Sequence, residues 1–136
     1  MKKIALSMVV FALFLGALWL LNLPKHSSFG TITVQVVDAS GTFIIDAEHS
    51  FDEADTLFII MNENYTIVCA NALYRPDESC SVQPWGRVIL SIDDVHTDWQ
   101  NTFLHLTVNG EHSHLGVDSV PMKDNDVFRF TVKTPN

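Results

Sequence analysis

The chain has 136 residues, which is enough for one folded domain and too few for two. Lys2 and Lys3, two of its eight Lys and Arg residues, precede an apolar run, so six basic residues accompany all sixteen acidic residues in the rest of the chain. Such an acidic surface repels phosphate backbones and anionic headgroups, which argues against binding to nucleic acid or to a lipid surface. The acidity also serves simple solubility.

Residues 1–25 are interpreted as an N-terminal membrane anchor or signal segment. Ile4 to Leu23 form 20 consecutive positions without a charge. At ~1.5 Å per residue, a helix of that length crosses a hydrocarbon core of ~30 Å. The run is longer than the ~7–15 residues of a secretory signal core, and it ends without a small-x-small cleavage site, so a retained anchor is favoured.

The position of the charges predicts the orientation in the membrane. Lys2 and Lys3 favour a cytoplasmic N-terminus. We therefore expect a single-pass protein that contacts the lipid bilayer through residues 4–23. Its domain, residues 26–136, is expected to lie outside the cell membrane, with secretion after signal cleavage as the alternative.

The two cysteines, Cys69 and Cys80, both lie in the part that is expected to be exported. Because an oxidising compartment permits disulfides, we predict a bond between them that closes a short loop around Arg75–Glu78. The alternative, a reduced pair with a redox function, normally uses a closer spacing such as C-x-x-C.

Period-two alternation and turn residues predict a β-rich domain with one helix. Ser50 and Glu53 have the spacing of a capping box, so the helix is expected to begin there. Its apolar stripe would run from Phe51 to Met61 and end near residues 62–64. The predicted strands cover residues 31–38, 42–46, 65–74, 86–92, 103–108 and 127–133. Ile32, Val34 and Val36 should face the core. This order predicts an α+β fold, a β-grasp-like mixed sheet packed on one short helix.

The last 50 residues carry a family resemblance. An aromatic residue, Phe103, precedes a strand that ends in Val108-Asn109-Gly110, and the polar turn Asp124-Asn125-Asp126 leads into a closing strand with aromatic residues. In these features the chain resembles the transcobalamin-like C-terminal domain family over most of residues 31–133. The family's turn has a central Gly where this chain has Asn125, and Asn tolerates a left-handed backbone well.

The resemblance implies a binding module. In the vertebrate members this domain is one lid over a corrinoid, and the bacterial members are similar to exported or cell-surface proteins. We expect no helical domain in residues 26–136 to supply the other side of such a site, so a partner protein would have to complete it for tight binding. The implied ligand is a cobalamin-like tetrapyrrole, and the implied partner is a membrane transporter that takes it up. No cofactor is expected beyond that ligand.

Four aromatic side chains are the candidate ligand-binding residues, because flat rings supply large contact areas with little loss of entropy. Trp85 lies between Pro84 and Gly86 and should be exposed in a loop. Trp99 and Phe103 stand at the start of a predicted core strand, so packing inside the domain is the alternative for these two. The full set is Tyr74, Trp85, Trp99 and Phe103.

Other polar residues give weaker signals. His112 and His114 have strand spacing and, with His105, are candidate metal ligands, but Asn109-Gly110 is expected to interrupt any link to His105. The acidic residues 93, 94 and 98 are expected to form turns. Because no nucleophile–base arrangement and no phosphate-binding glycine loop is evident, we predict no metal site, no catalytic residues and no enzymatic activity. The rival to a ligand carrier is a cell-envelope interaction domain that binds a protein or glycan.

Overall fold

The computed structural model describes residues 28–135, and the predicted anchor, residues 1–25, lies outside this range. Within the described range no helix is long and apolar enough to cross a membrane. The elements in chain order are β1 (Phe29–Val37), β2 (Phe43–Asp52), α1 (Leu57–Asn64), β3 (Ile67–Ala70), β4 (Pro76–Asp77), β5 (Ile89–Ile92), β6 (Val95–His96), β7 (Phe103–Val108), β8 (Glu111–His112) and β9 (Val127–Lys133).

The larger sheet is mixed and has the strand order β2-β1-β9-β7-β8. β1 pairs antiparallel with β2 and parallel with β9, and β9 pairs antiparallel with β7. Its inner face carries Ile32, Val34 and Val36 of β1 together with Phe128 and Phe130 of β9, all of them buried. The predicted core face of the first strand is therefore confirmed.

The smaller sheet has the order β4-β3-β5-β6, and all its pairs are antiparallel. Helix α1 contributes Leu57, Phe58, Ile60 and Met61 to the same core cluster as the two sheets. An α+β domain with a mixed sheet and a short helix is thus confirmed for residues 28–135. The strands form two sheets, however, whereas the sequence predicted one.

The predicted start of the helix at Ser50 was wrong. Ser50 to Asp52 continue β2, where they pair with Thr31 to Phe29 of β1. The helix begins at Leu57 instead, and the hydroxyl of Thr56 accepts a hydrogen bond from the backbone N–H of Ile59 at 3.2 Å. Pairing with β1, whose partner residues lie 19 to 23 positions earlier in the chain, outweighs the local capping signal.

The middle strands are shorter than predicted, whereas β7 and β9 have the predicted bounds. β3 ends at Ala70 because Asn71 begins a turn with its side-chain oxygen accepting the backbone N–H groups of Leu73 and Arg75. β5 begins only at Ile89 because the backbone N–H of Arg87 donates to the carboxylate of Asp118 rather than to a strand.

The predicted disulfide between Cys69 and Cys80 is confirmed. Both cysteines are buried and belong to the hydrophobic core. The bond ties the segment 71–79, which is largely exposed, to the end of β3. The loop that contains Tyr74 is therefore attached to the core at both ends.

Candidate functional site

Seven aromatic side chains form a continuous series of ring contacts, which we call the aromatic row. The row begins at Trp85, just after the loop closed by the disulfide, passes through that loop and the loop before β7, and ends beyond β8. In spatial order its members are Trp85, Tyr74, Trp99, Phe103, His105, His112 and His114.

The first part of the row consists of exposed tryptophan and tyrosine rings. The rings of Tyr74 and Trp99 are parallel to within 5°, with centroids 5.7 Å apart, and Tyr74 lies 6.1 Å from Trp85. Trp85, Tyr74 and Trp99 are 52%, 46% and 39% exposed. The predicted exposure of Trp85 is confirmed, whereas Trp99 does not pack inside the domain, because its ring lies against Tyr74 rather than in the core.

The backbone at this part of the row is unusual. Tyr74 and Trp99 have φ angles of 57° and 65°, in the left-handed region. This conformation costs a non-glycine residue about 1–2 kcal/mol. Hydrogen bonds within the two turns offset that cost. In the turn of Trp99 they also lower the pKa of Asp98 from 3.8 to about 2, because its carboxylate accepts the backbone N–H groups of Asn101 and Thr102 and the side chain of Asn101.

The second part of the row consists of Phe103 and three histidines. His105 Nε2 and His112 Nδ1 are 2.6 Å apart, with ring planes 8° from parallel. His112 and His114 are in edge-to-face contact at 5.1 Å. The expectation that Asn109-Gly110 separates His105 from His112 was wrong. Both turn residues have positive φ, so they form a tight hairpin that places β8 directly beside β7.

The surroundings of His105 disfavour its charged form. Burial first, then the charge of Lys133 and the neighbouring His112, lower the pKa of His105 below its ordinary value of 6.5. Its Nδ1 is shielded from solvent and has no hydrogen-bond partner among the described residues. The row therefore ends in three polar imidazole rings.

A cavity of about 300 Å³ opens beside the row. Its walls come from β7 and from the segments before β5 and after β8. The lining residues that matter here are Trp99, Phe103, His105, His114, Leu115 and Arg87. All four predicted ligand-binding residues belong to the row. Two of them, Trp99 and Phe103, also line the cavity, whereas Tyr74 and Trp85 do not.

Arg87 was not predicted, and it fixes one wall of the cavity. Its guanidinium forms an ion pair with Asp118, donates from Nε to the backbone oxygen of Cys80 at 2.7 Å, and lies 4.2 Å from the ring centroid of Phe58. These contacts join the disulfide loop to helix α1. Nothing local in the sequence marks Arg87, whereas the Asn-Gly hairpin signal could have revealed the histidine pair.

The acidic candidates have structural roles, because their carboxylates accept hydrogen bonds from backbone N–H groups. Asp93 accepts the backbone N–H of Thr66 at 2.7 Å, and Asp98 accepts three backbone N–H groups of its own turn. Asp98 thus forms a turn, as the sequence predicted. Asp93 lies in the turn between β5 and β6, also as predicted, while its side chain bonds to the residue before β3. Within residues 28–135, no three His, Cys, Asp or Glu side chains are arranged to hold a metal ion.

Comparison with protein families identifies the chain. Residues 54–134 match the family model described as a domain of unknown function, DUF4430, and this match covers more than half of the chain. The chain belongs to the DUF4430 family. No curated protein matches this DUF4430 chain.

Solved structures show which fold the DUF4430 chain shares. A crystal structure described as that of a candidate metal-binding protein from Ruminococcus gnavus ATCC 29149 matches with a TM-score of 0.56 and 23% identity, over 79% of this chain and 99% of that one. Haptocorrin, solved in complex with Cbi, matches with a TM-score of 0.56 and 13% identity, over 83% of this chain and 27% of haptocorrin. The shared fold is transcobalamin-like, which confirms the predicted resemblance at the level of fold.

Proposed function

We propose that this DUF4430 domain is a binding module that holds a flat ligand against the aromatic row. The observation that carries the proposal is the continuity of the row, in which seven rings stand in sequential contact beside a cavity. Three of the largest rings are substantially exposed, although exposing them to water is unfavourable. An aromatic surface that remains exposed in an acidic, soluble domain is typical of a binding site.

The proposed ligand class is a cobalamin-like tetrapyrrole. A large planar ring would contact several members of the row at once, and flat apolar faces match aromatic side chains. The solved complex of haptocorrin, which shares the fold, supports this class. The cavity of about 300 Å³ is at the low end for ligand pockets, so it would enclose only part of such a ligand. A membrane transporter would complete the site and receive the ligand.

We also propose that the domain acts outside the cytoplasm, attached to the cell membrane by residues 4–23. The disulfide supports an oxidising compartment, because such bonds are rare in the cytosol. The parallel pairing of β1 with β9, beside the β1–β2 hairpin, supports the β-grasp assignment. A domain attached to the membrane in this way would present the aromatic row to ligands outside the cell.

The proposed role is non-catalytic. Ser91 and His96 do form a hydrogen bond at 2.7 Å, but Ser91 is buried and the pair joins the neighbouring strands β5 and β6. The side chain of Asp98 closes its own turn, and that of Asp93 accepts the backbone N–H of Thr66. These contacts support structural roles for the groups that could otherwise suggest hydrolytic chemistry.

The test is a titration of the full chain, purified in detergent, with cyanocobalamin, followed by calorimetry and by tryptophan quenching. We expect saturable binding that weakens about tenfold or more in Trp85→Ala, equal to about 1.4 kcal/mol of binding free energy. Phe29→Ala is the matched control, because Phe29 is an exposed aromatic residue outside the row. Haem serves as a second planar probe.

The result that would overturn the proposal is an absence of binding by either probe up to ~1 mM, which corresponds to only ~4 kcal/mol. The alternative function, an envelope domain that binds a protein or glycan, would then be favoured. One observation supports that alternative: Leu73 and Val82, on either side of Cys80, are 72% and 66% exposed. Apolar side chains of this kind suit a flat protein interface.

A further inference from the structure

The two aromatic residues at the centre of the row share an uncommon backbone conformation. Six non-glycine residues within the described range have positive φ angles. Three of them are Asn or Asp, which tolerate the left-handed region well. Tyr74 and Trp99 are the aromatic members, and their rings are the pair that lies parallel at 5.7 Å. Bulky residues are found there only when their surroundings enforce it, which points to a functional reason.

The enforcing contacts at Tyr74 come from Asn71. Its side-chain oxygen accepts the backbone N–H groups of Leu73 at 2.9 Å and Arg75 at 3.1 Å. Its backbone oxygen accepts the N–H of Tyr74 at 2.9 Å, and its N–H donates to the backbone oxygen of Arg75 at 2.9 Å. These four hydrogen bonds close a turn in which Tyr74 has little freedom to leave its position.

The enforcing contacts at Trp99 come from Asp98. One carboxylate oxygen accepts the backbone N–H groups of Gln100, Asn101 and Thr102 at 3.0, 2.7 and 3.1 Å. The other accepts the side-chain amide of Asn101 at 3.0 Å. A single side chain therefore organises the whole loop that carries Trp99.

We infer that Asn71 and Asp98 are positioning residues, which fix Tyr74 and Trp99 as a rigid parallel pair before any ligand arrives. The inference rests on the proposed function. Ordering the two loops in advance removes an entropy cost that binding would otherwise incur. The two turns belong to separate segments, on opposite sides of β5 in the sequence, and the parallel ring contact joins them at the row. The two turns thus place the rings that the ligand would contact.

The experiment compares removal of each oxygen acceptor with its conservative replacement. Asn71→Ala and Asp98→Ala lose the acceptor, whereas Asn71→Asp and Asp98→Asn keep it. Asp38→Ala is the matched control, because Asp38 accepts the backbone N–H groups of Ser40 and Thr42 in the turn between β1 and β2 and has no contact with the row. Each full-length variant is titrated with cyanocobalamin, and its near-ultraviolet circular dichroism is measured without ligand. Thermal unfolding confirms that each is folded.

We expect the two alanine variants to bind cyanocobalamin at least ~10-fold more weakly than the wild type, and the conservative variants and Asp38→Ala within ~3-fold of it. The alanine variants should also lose the circular dichroism of the coupled Tyr74 and Trp99 rings. Wild-type affinity and an unchanged spectrum in both alanine variants would overturn the inference.

The design also separates this inference from the proposed function. If the wild type itself binds no probe, the proposed function fails, and the spectrum alone decides whether the two turns position the rings. Loss of the coupled signal only in the alanine variants would then sustain the positioning role. Its retention would overturn that role too.

Discussion

At the scale of single residues, two members of the aromatic row have a backbone conformation that their residue types disfavour. Asn125 has a left-handed φ of 71°, as its residue type allowed us to predict. The same conformation at Tyr74 and Trp99 could not be predicted, because nothing in an aromatic residue type favours it. What identifies these positions is the hydrogen bonding of the preceding Asn71 and Asp98, which becomes visible only in the folded turns.

His105 carries a pH-dependent contribution to stability. Its pKa is lowered in the folded state, chiefly by burial, so between that pKa and ~6.5 the unfolded chain binds more protons than the folded one. Stability from this group is therefore complete above ~6.5 and is lost as the pH falls through the lowered pKa. We expect the melting temperature of the wild type to fall more between pH ~7.5 and ~5 than that of His105→Gln.

His114→Gln is the control for that comparison, because His114 is an exposed member of the same row. His49 has a pKa lowered by burial and is present in all three proteins, so its effect cancels. Parallel pH profiles for the wild type and His105→Gln would contradict the account of His105.

At the scale of elements, local patterns predicted strands well and long-range pairing poorly. β7 and β9 alternate clearly and lie next to strong turn signals, and their bounds match the prediction. The capping pattern at Ser50 did not predict the start of the helix, because residues 50–52 pair with Phe29 to Thr31 of β1 instead. A local sequence pattern cannot show a pairing partner so far away in the chain. For the same reason the contact between His105 and His112 was missed, since it depends on the hairpin that joins β7 to β8.

The disulfide loop is the element that carries Tyr74, and the bond should stabilise it measurably. Cys69 and Cys80 are 11 positions apart, and closing a loop of this size contributes on the order of 2–3 kcal/mol. We expect Cys69→Ala/Cys80→Ala to lower the free energy of unfolding in urea by about that amount. Wild-type protein under a strong reductant is the matched comparison and should show the same loss. Equal stability of the bonded and unbonded proteins would contradict this role.

At the scale of the whole molecule, the two sheets and the helix share one core, while the row crosses loops and strands on the surface. The α+β class, the disulfide and the exposure of Trp85 could be predicted from the sequence. The division into two sheets and the cavity between β7 and the segment before β5 could not, because both depend on contacts distant in the chain. The fold thus acts as a frame that brings separate aromatic segments together.

The central claim is that the row is the surface on which a planar ligand binds. The most direct measurement is a nuclear magnetic resonance titration of the full chain in detergent with cyanocobalamin, in which the indole N–H signals of Trp85 and Trp99 are assigned by substitution. We predict that both signals shift saturably with one dissociation constant, together with the ring signals of His105 and His112. Unchanged signals at the row, or saturable shifts confined to the distant strand β2, would contradict the account.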